Sequence, residues 1–567
     1  MDERELSAGA VDVDAIVVGA GFGGLYMVQR LISSGFTVRG FESAEDVGGV
    51  WYWNNYPGAR CDGESLAYSY SFSEALQQDW SWSERYGGQP EILSYLRTVA
   101  ERFDLRRHYE FSTRVTSATW NETGNRWLIE TDRGDRLSTR YFISAVGCLS
   151  AARVPDFPGL ETFEGDWYHT GQWPKTPVEF AGKRVAVIGT GSSGIQIVTT
   201  IAPMVDQLTV FQRTPNFTVP ARNRPMDRAH EARVKASYEL YRNETRGLVR
   251  PRDGEPIPSP MFSMPPRGSG HDLSPEEREA EMQRRWDHGY GGAPLLFAFS
   301  DMMTDDEVNE YAAEFVRAKI REIVDDPATA DTLTPHGYPI GAKRICVDTG
   351  YYATFNRENV ALVDVKADPI AEFTPHGVRL ASGRSFAVDT IIFATGYDAM
   401  TGALARISIT GRDGRTLHDK WAEGPRAYLG LCVEGFPNFF VMTGPGSPSV
   451  ISNVVDSLEQ HGELIADALE VMRAEGHITI EPDRDAEDAW VEHVDEVADT
   501  TLWPRANSWY KGCNIPGKPQ VFMVYVGGPR LYRQKCEEMK ADGWAGFNFD
   551  GAGVRRLLEQ ADEPTAR

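Results

Sequence analysis

Only six cysteines, Cys61, Cys148, Cys346, Cys432, Cys513 and Cys536, occur in 567 residues, with no CxxC pair and no histidine at metal-ligand spacing. That excludes a redox dithiol and leaves no metal site to assign. No apolar run approaches the roughly 18 residues a membrane helix needs, and the acidic start MDERELSAGA lacks the apolar stretch of a signal peptide, so a cytoplasmic protein is expected. Positive charge is short as well: 58 Lys and Arg face 82 Asp and Glu, a formal net charge of -24. Such a surface repels nucleic acid and anionic membranes, and any anionic ligand must find a local basic pocket. The rest is ordinary globular composition, 41% hydrophobic and 25% charged, at a length that accommodates two or three domains.

Glycine is placed with more purpose. DAIVVGAGFGGLYMVQRLISSGFTVRGFE reads as strand, tight turn, helix and strand, with Leu25, Val28 and Ile32 on one helical face and Gly35 as terminator. Gly19, Gly21 and Gly24 form GxGxxG, the pattern that lets a backbone turn, approach a pyrophosphate at a helix N-terminus and pack helix on strand. Glu42 ends the second strand, where a carboxylate can accept from ribose hydroxyls. The frame returns at KRVAVIGTGSSGIQIVTTIAPMVDQLTVFQRT through Gly189, Gly191 and Gly194, but here the second strand ends in Arg213. A guanidinium suits a 2′-phosphate that a carboxylate would repel, so the first site is expected to hold a ribose diol and the second NADPH. Two further apolar strands, RYFISAVGCLS and VDTIIFATGYD, end in small residues, as a backbone needs beside a cofactor.

Between the second unit and residue 335 the chain turns polar and proline-rich, then helical. RPRDGEPIPSPMFSMPPRGSG reads as a loose loop, whereas LSPEEREAEMQRRW and DDEVNEYAAEFVRAKIREIV carry helical periodicity and acid-rich starts. The expectation is an α/β protein with two Rossmann-like dinucleotide-binding domains, for FAD and NADP, and a helical insertion able to cover a substrate. The expected division is 1–150 for the first part of the FAD domain and 151–222 for the first part of the NADP domain. The insertion follows at 223–335, the NADP domain resumes at 336–388, and the FAD domain closes the chain at 389–567. Two such sites imply electrons passing from one carrier to another, and without a cysteine pair dioxygen is the expected acceptor.

At GGVWYWNNYPGARCD and at FEGDWYHTGQWP the sequence resembles the type I Baeyer-Villiger monooxygenases. Phe163, Gly165, His169, Trp173 and Pro174 match that family's FxGxxxHxxxWP sequence, and the likeness continues through GTGSSGIQ, FQRTPNF, GAKR, ATGYD, GFPNFFVMTGPGSPS and SWYKGCNIPGKP. The resemblance implies that NADPH reduces FAD, that dioxygen adds to flavin C4a, and that the resulting peroxide attacks a ketone carbonyl to give an ester or lactone. It places Arg344 as the catalytic arginine, a permanently charged planar fork, with Asp62 as its partner. It assigns FAD contacts to Val50, Trp51, Tyr68, Val115 and Val454, beside Gly19, Gly21, Gly24 and Glu42. For NADP it adds Thr190, Ser192, Ser193 and Gln196 to the second glycine turn, Arg213, Thr214 and Lys343 at the 2′-phosphate, and Trp509 as a cover. Val450 and Ile451 would line the substrate pocket, and His169 with Trp173 in the connector 163–174 reads as a hinge rather than as acid-base machinery.

The chain departs from the family pattern at Asn55, where many relatives have arginine, at Val454 in place of a methionine, and at Cys513 in place of an alanine. None of these removes a catalytic charge. The expected substrate is a bulky or cyclic ketone, with dioxygen as co-substrate. An N- or S-oxygenating flavoprotein of the same architecture and a non-catalytic NADPH sensor are the alternatives.

Overall fold

The computed structural model describes residues 11–246, 266–289 and 292–550. Two sheets organise them. In the first, eight strands run in the order Ser408–Thr410, Val115–Asn121, Arg126–Thr131, Arg136–Ser144, Val13–Val18, Val38–Phe41 and Tyr109–Glu110, with Phe439–Val441 joining Arg136–Ser144. Val13–Val18 lies parallel to both neighbours, Ala15 opposite Val38 and Tyr141, and its Ala15, Ile16 and Val17 are fully buried. A central parallel strand is covered on both faces, hence its unbroken apolar run.

The second sheet is wholly parallel, in the order Val360–Asp364, Gln207–Gln212, Arg184–Ile188, Thr390–Phe393 and Asp166–His169. This corrects the expected boundary between 388 and 389. Ile391 pairs with both Ala186 and Trp167, so the strand Thr390–Phe393 belongs to the second unit and the chain returns to the first unit only after it.

The helices expected from periodicity form at Pro275–His288, opened by a Ser274/Glu277 capping box, and at Asp306–Ile323, capped by Asp305. The insertion does not act as one body. Val234, Tyr238 and Tyr241 pack into the core of the first unit, where Arg242 donates to the Ala67 carbonyl and to Ser69, whereas Met282, Trp286, Phe315 and Val316 join the core of the second. Most of the proline-rich stretch read as a loop lies outside the described residues. Among the described residues no helix is long and apolar enough to cross a membrane.

Candidate active site

The helices that follow the two glycine turns, Phe22–Ser33 and Ser192–Ile201, begin at Gly21 and Gly191 with no side-chain cap. Asp227, Asp305, Asp326, Asn453 and Asp483 cap their own helices, while the helices at Gly88 and Gly527 also start without a side-chain cap; the free N–H groups at Gly21 and Gly191 open on the cleft described below. The glycines themselves leave little choice. Gly19 and Gly189 hold φ of +110° and +109°, and a Cβ on Gly24 or Gly194 would stand 1.7 or 2.1 Å from the carbonyl oxygen of Gly19 or Gly189. A Cβ on Gly191 would meet no protein atom within 4 Å, which is the clearance a pyrophosphate needs. The carbonyls of Ala145 and Ala394, just past the two partner strands, press on Gly19 and Gly189.

Both turns open into one cleft of about 2450 Å³. Glu42, 6% exposed, accepts from the backbone amides of Ala20 at 2.8 Å and Ala44 at 2.7 Å, which fixes its carboxylate at the strand end with lone pairs remaining for a diol. Val50 and Trp51 lie on the short helix Val50–Trp53, with the Trp51 indole donating to the Tyr68 hydroxyl at 3.1 Å; Val115 and Val454 line the same side. On the other side lie Thr190, Ser192, Ser193, Gln196 and Thr214. Thr190 donates to the Thr214 carbonyl, and Gln196 accepts from Tyr56 at 2.7 Å while donating to the Arg60 carbonyl, a bridge between the two units. Arg213 is exposed and has no acceptor among the described residues. Lys343 sits over the Tyr338 ring at 4.7 Å, its pKa lowered by burial and then by Arg213. Two cations converging without an anion between them fit a phosphate.

Arg344 and Asp62, 282 residues apart in sequence, form a two-pronged ion pair. Nε and Nη2 of the arginine donate to the carboxylate at 2.9 to 3.1 Å, and Nη1 donates to the Val450 carbonyl. The adjacent carboxylate, opposed by burial, holds the Arg344 pKa above its ordinary value, so the guanidinium is a fixed positive charge. Val450, Ile451 and Trp509 line the cleft around it, together with Leu296, Phe297 and Met303 from the insertion.

Gly24, Gly194, His169 and Trp173 do not line the cleft. The two glycines pack helix on strand. His169, 2% exposed, accepts from the Gly171 amide through Nδ1 at 2.9 Å and meets Thr395 through Nε2 at 3.3 Å; burial pushes its pKa down to about 4. It is a neutral brace with both nitrogens occupied. Trp173 donates its amide to the Trp53 carbonyl, tying the connector to the first unit. Of the departures from the family pattern, Asn55 donates to the Pro174 carbonyl at the same junction, and Cys513 contacts Gln520.

Sequence reasoning named no role for Tyr56, for Tyr510 beside Arg344, or for the insertion residues. Tyr56 and Tyr510 stood inside quoted motifs, whereas nothing local in the insertion reveals which of its helices faces the cleft.

Residues 13–230 match the model of a family described as flavin-binding monooxygenase-like. The chain is 44% identical over 549 residues to a Baeyer-Villiger monooxygenase of Pseudooceanicola batsensis, covering 97% of this chain and 98% of the relative. Among solved structures it is similar to an oxidized steroid monooxygenase bound to NADP, at 50% identity and a TM-score of 0.87. It is likewise similar to a cyclohexanone monooxygenase from Rhodococcus sp. Phi1 bound to NADP+, at 43% identity and 0.90. Each covers 95% of this chain and 99% of the neighbour.

Proposed function

The chain belongs to the Baeyer-Villiger monooxygenases, and we propose that it uses NADPH and dioxygen to insert one oxygen atom beside the carbonyl of a bulky or cyclic ketone. Ketone, dioxygen, NADPH and one proton give ester or lactone, NADP+ and water. Bound FAD, reduced by NADPH, supplies the electrons that activate dioxygen for attack on the carbonyl carbon.

The chain's own residues bind, orient and neutralise. The uncapped helix at Gly21 and the carboxylate of Glu42 hold FAD, with Val50, Trp51, Tyr68, Val115 and Val454 against it. The helix at Gly191 takes the NADP pyrophosphate, Arg213, Lys343 and Thr214 its 2′-phosphate, and Trp509 covers the nucleotide and keeps water out. Attack on a ketone leaves negative charge on oxygen, and Arg344 is the fixed cation that balances it. Asp62 aims the guanidinium while leaving other N–H donors free. Val450, Ile451, Leu296 and Phe297 give the ketone an apolar wall.

The observation that carries this reading is the Arg344–Asp62 pair standing in one cleft with both glycine turns. Arg344→Ala should lower ester formation at least about a hundredfold, the usual consequence of losing an oxyanion partner, while anaerobic bleaching of the flavin by NADPH persists. Ester formed at the wild-type rate would overturn the assignment.

A further inference from the structure

We propose that Tyr510 is a second hydrogen-bond donor to the carbonyl oxygen of the ketone, acting beside Arg344. The inference rests on ketone oxygenation being the reaction, and it deepens that reading by completing the group that receives the developing negative charge.

Tyr510 lies in the short helical turn Trp509–Lys511 and is 1% exposed, yet it contributes to the lining of the cleft. Its ring cannot swing freely. Trp509 packs on it with ring centroids 4.4 Å apart, Trp503 meets it at 5.8 Å and Phe522 at 6.3 Å, and its carbonyl accepts from the Met523 amide at 3.0 Å. Tyr510 lines the cleft beside Arg344, whose guanidinium acts on its hydroxyl as a neighbouring cation. Because of that position, a ligand bound in the cleft can accept the hydroxyl proton, unlike that of Tyr351, which is buried without a partner among the described residues.

The arginine explains why a second donor is useful. A guanidinium has five N–H groups in a fixed fork, and Asp62 and the Val450 carbonyl already engage all three of its nitrogens. That leaves at most two N–H groups, on Nη1 and Nη2, for a ligand. If one of them donates to the phenol oxygen, the hydroxyl proton is polarised by the cation and becomes a stronger donor toward the cleft. Burial pushes the Tyr510 pKa up to about 12, so the phenol keeps that proton at any working pH. No proton changes hands in this role: the O–H bond stays intact, and the electron pair on the ketone oxygen accepts it as the carbon is attacked.

The test is Tyr510→Phe, which keeps the packed ring and removes only the donor. In the oxidised holoenzyme with NADP+ and a ¹³C-carbonyl cyclic ketone, the infrared carbonyl stretch should lie higher in the variant than in the wild type. Ester formation should fall about tenfold to a hundredfold, less than for loss of a sole oxyanion donor because Arg344 remains. FAD content and the anaerobic rate of flavin reduction by NADPH should not change, and the NADPH no longer coupled to ester should appear as hydrogen peroxide. An unchanged stretch with ester at the wild-type rate overturns the proposal, as does a variant whose ester formation falls only in proportion to a slower flavin reduction. Should the variant fold poorly, 3-fluorotyrosine at position 510, a stronger donor of nearly the same size, should move the stretch lower; no movement overturns the proposal. A wild-type protein that forms no ester removes the reading of the function itself, and this inference with it. Ester from the wild type and an unaffected Tyr510→Phe removes only the inference.

Discussion

The two glycine turns are built alike and enclosed differently. Gly19 and Gly189 share one positive φ, and Gly24 and Gly194 share one close approach to the carbonyl five residues back. Around them the surroundings diverge. A Cβ on Gly21 would come within 3.4 Å of Gly49, where the helix Val50–Trp53 begins, whereas one on Gly191 would meet nothing. Glu42 is buried and bonded to the chain's own amides, while Arg213 is exposed with no acceptor among the described residues. A roofed site with a preset carboxylate suits a nucleotide that stays, and an open one with waiting cations suits a nucleotide that comes and goes. On the proposed assignment the same local motif would serve both a resident and an exchanging cofactor, and what separates the two turns is the chain folded over each.

The strongest way to break that comparison is to fill the shared close approach on each side. Gly24→Ala and Gly194→Ala both drive a methyl group into backbone that cannot step aside. The expected consequences differ: the first should yield protein lacking FAD, the second a yellow protein that NADPH no longer reduces. Flavin absorbance after purification and anaerobic titration with NADPH read the two results. Loss of FAD from both variants would mean that the units are not independent in the way their geometry suggests.

A smaller effect should follow from the strand ends. Arg213→Ala removes one cation from the expected 2′-phosphate site, and one charge-assisted hydrogen bond contributes about 1.5–3 kcal/mol, or roughly ten- to a hundredfold in kcat/KM for NADPH. NADH, which lacks that phosphate, should be used about as well as before. Equal losses with both nucleotides would refute the assignment.

How much of this was legible in sequence follows the same division. Gly19 to Gly24, Gly189 to Gly194, Glu42 and Arg213 were readable because their physics is local: a turn, a helix start and a strand end are set by residues a few positions apart. Arg344 and Asp62 were nameable only through the family likeness, since no spacing rule joins positions 282 residues apart. The sheet to which Thr390–Phe393 belongs was misplaced for a related reason. Its apolar run is suited to either sheet, and only pairing with Arg184–Ile188 decides. The hydroxyl of Tyr510 was invisible because in sequence an aromatic beside Trp509 reads as core, and most of that side chain is core.

The subtlest difference between the units concerns protons. His169 braces the second unit through Thr395, and His461, wholly buried, braces the first by accepting from the Thr443 amide and meeting the Tyr532 hydroxyl. Burial pushes both from 6.5 to about 4, so the folded protein binds fewer protons than the unfolded chain between those values. Their contribution to stability is therefore complete above about pH 6.5 and is lost as pH falls toward 4, at up to about 1.4 kcal/mol per pH unit for each histidine. Thermal or denaturant melts between pH 7 and pH 4.5 should show this decline, and His169→Gln and His461→Gln should each flatten it by about one proton. Because the second site is the more open, loss of its brace should also weaken NADP+ binding while FAD content holds. Equal loss of both cofactors from either variant would place the two histidines in one cooperative unit rather than in two.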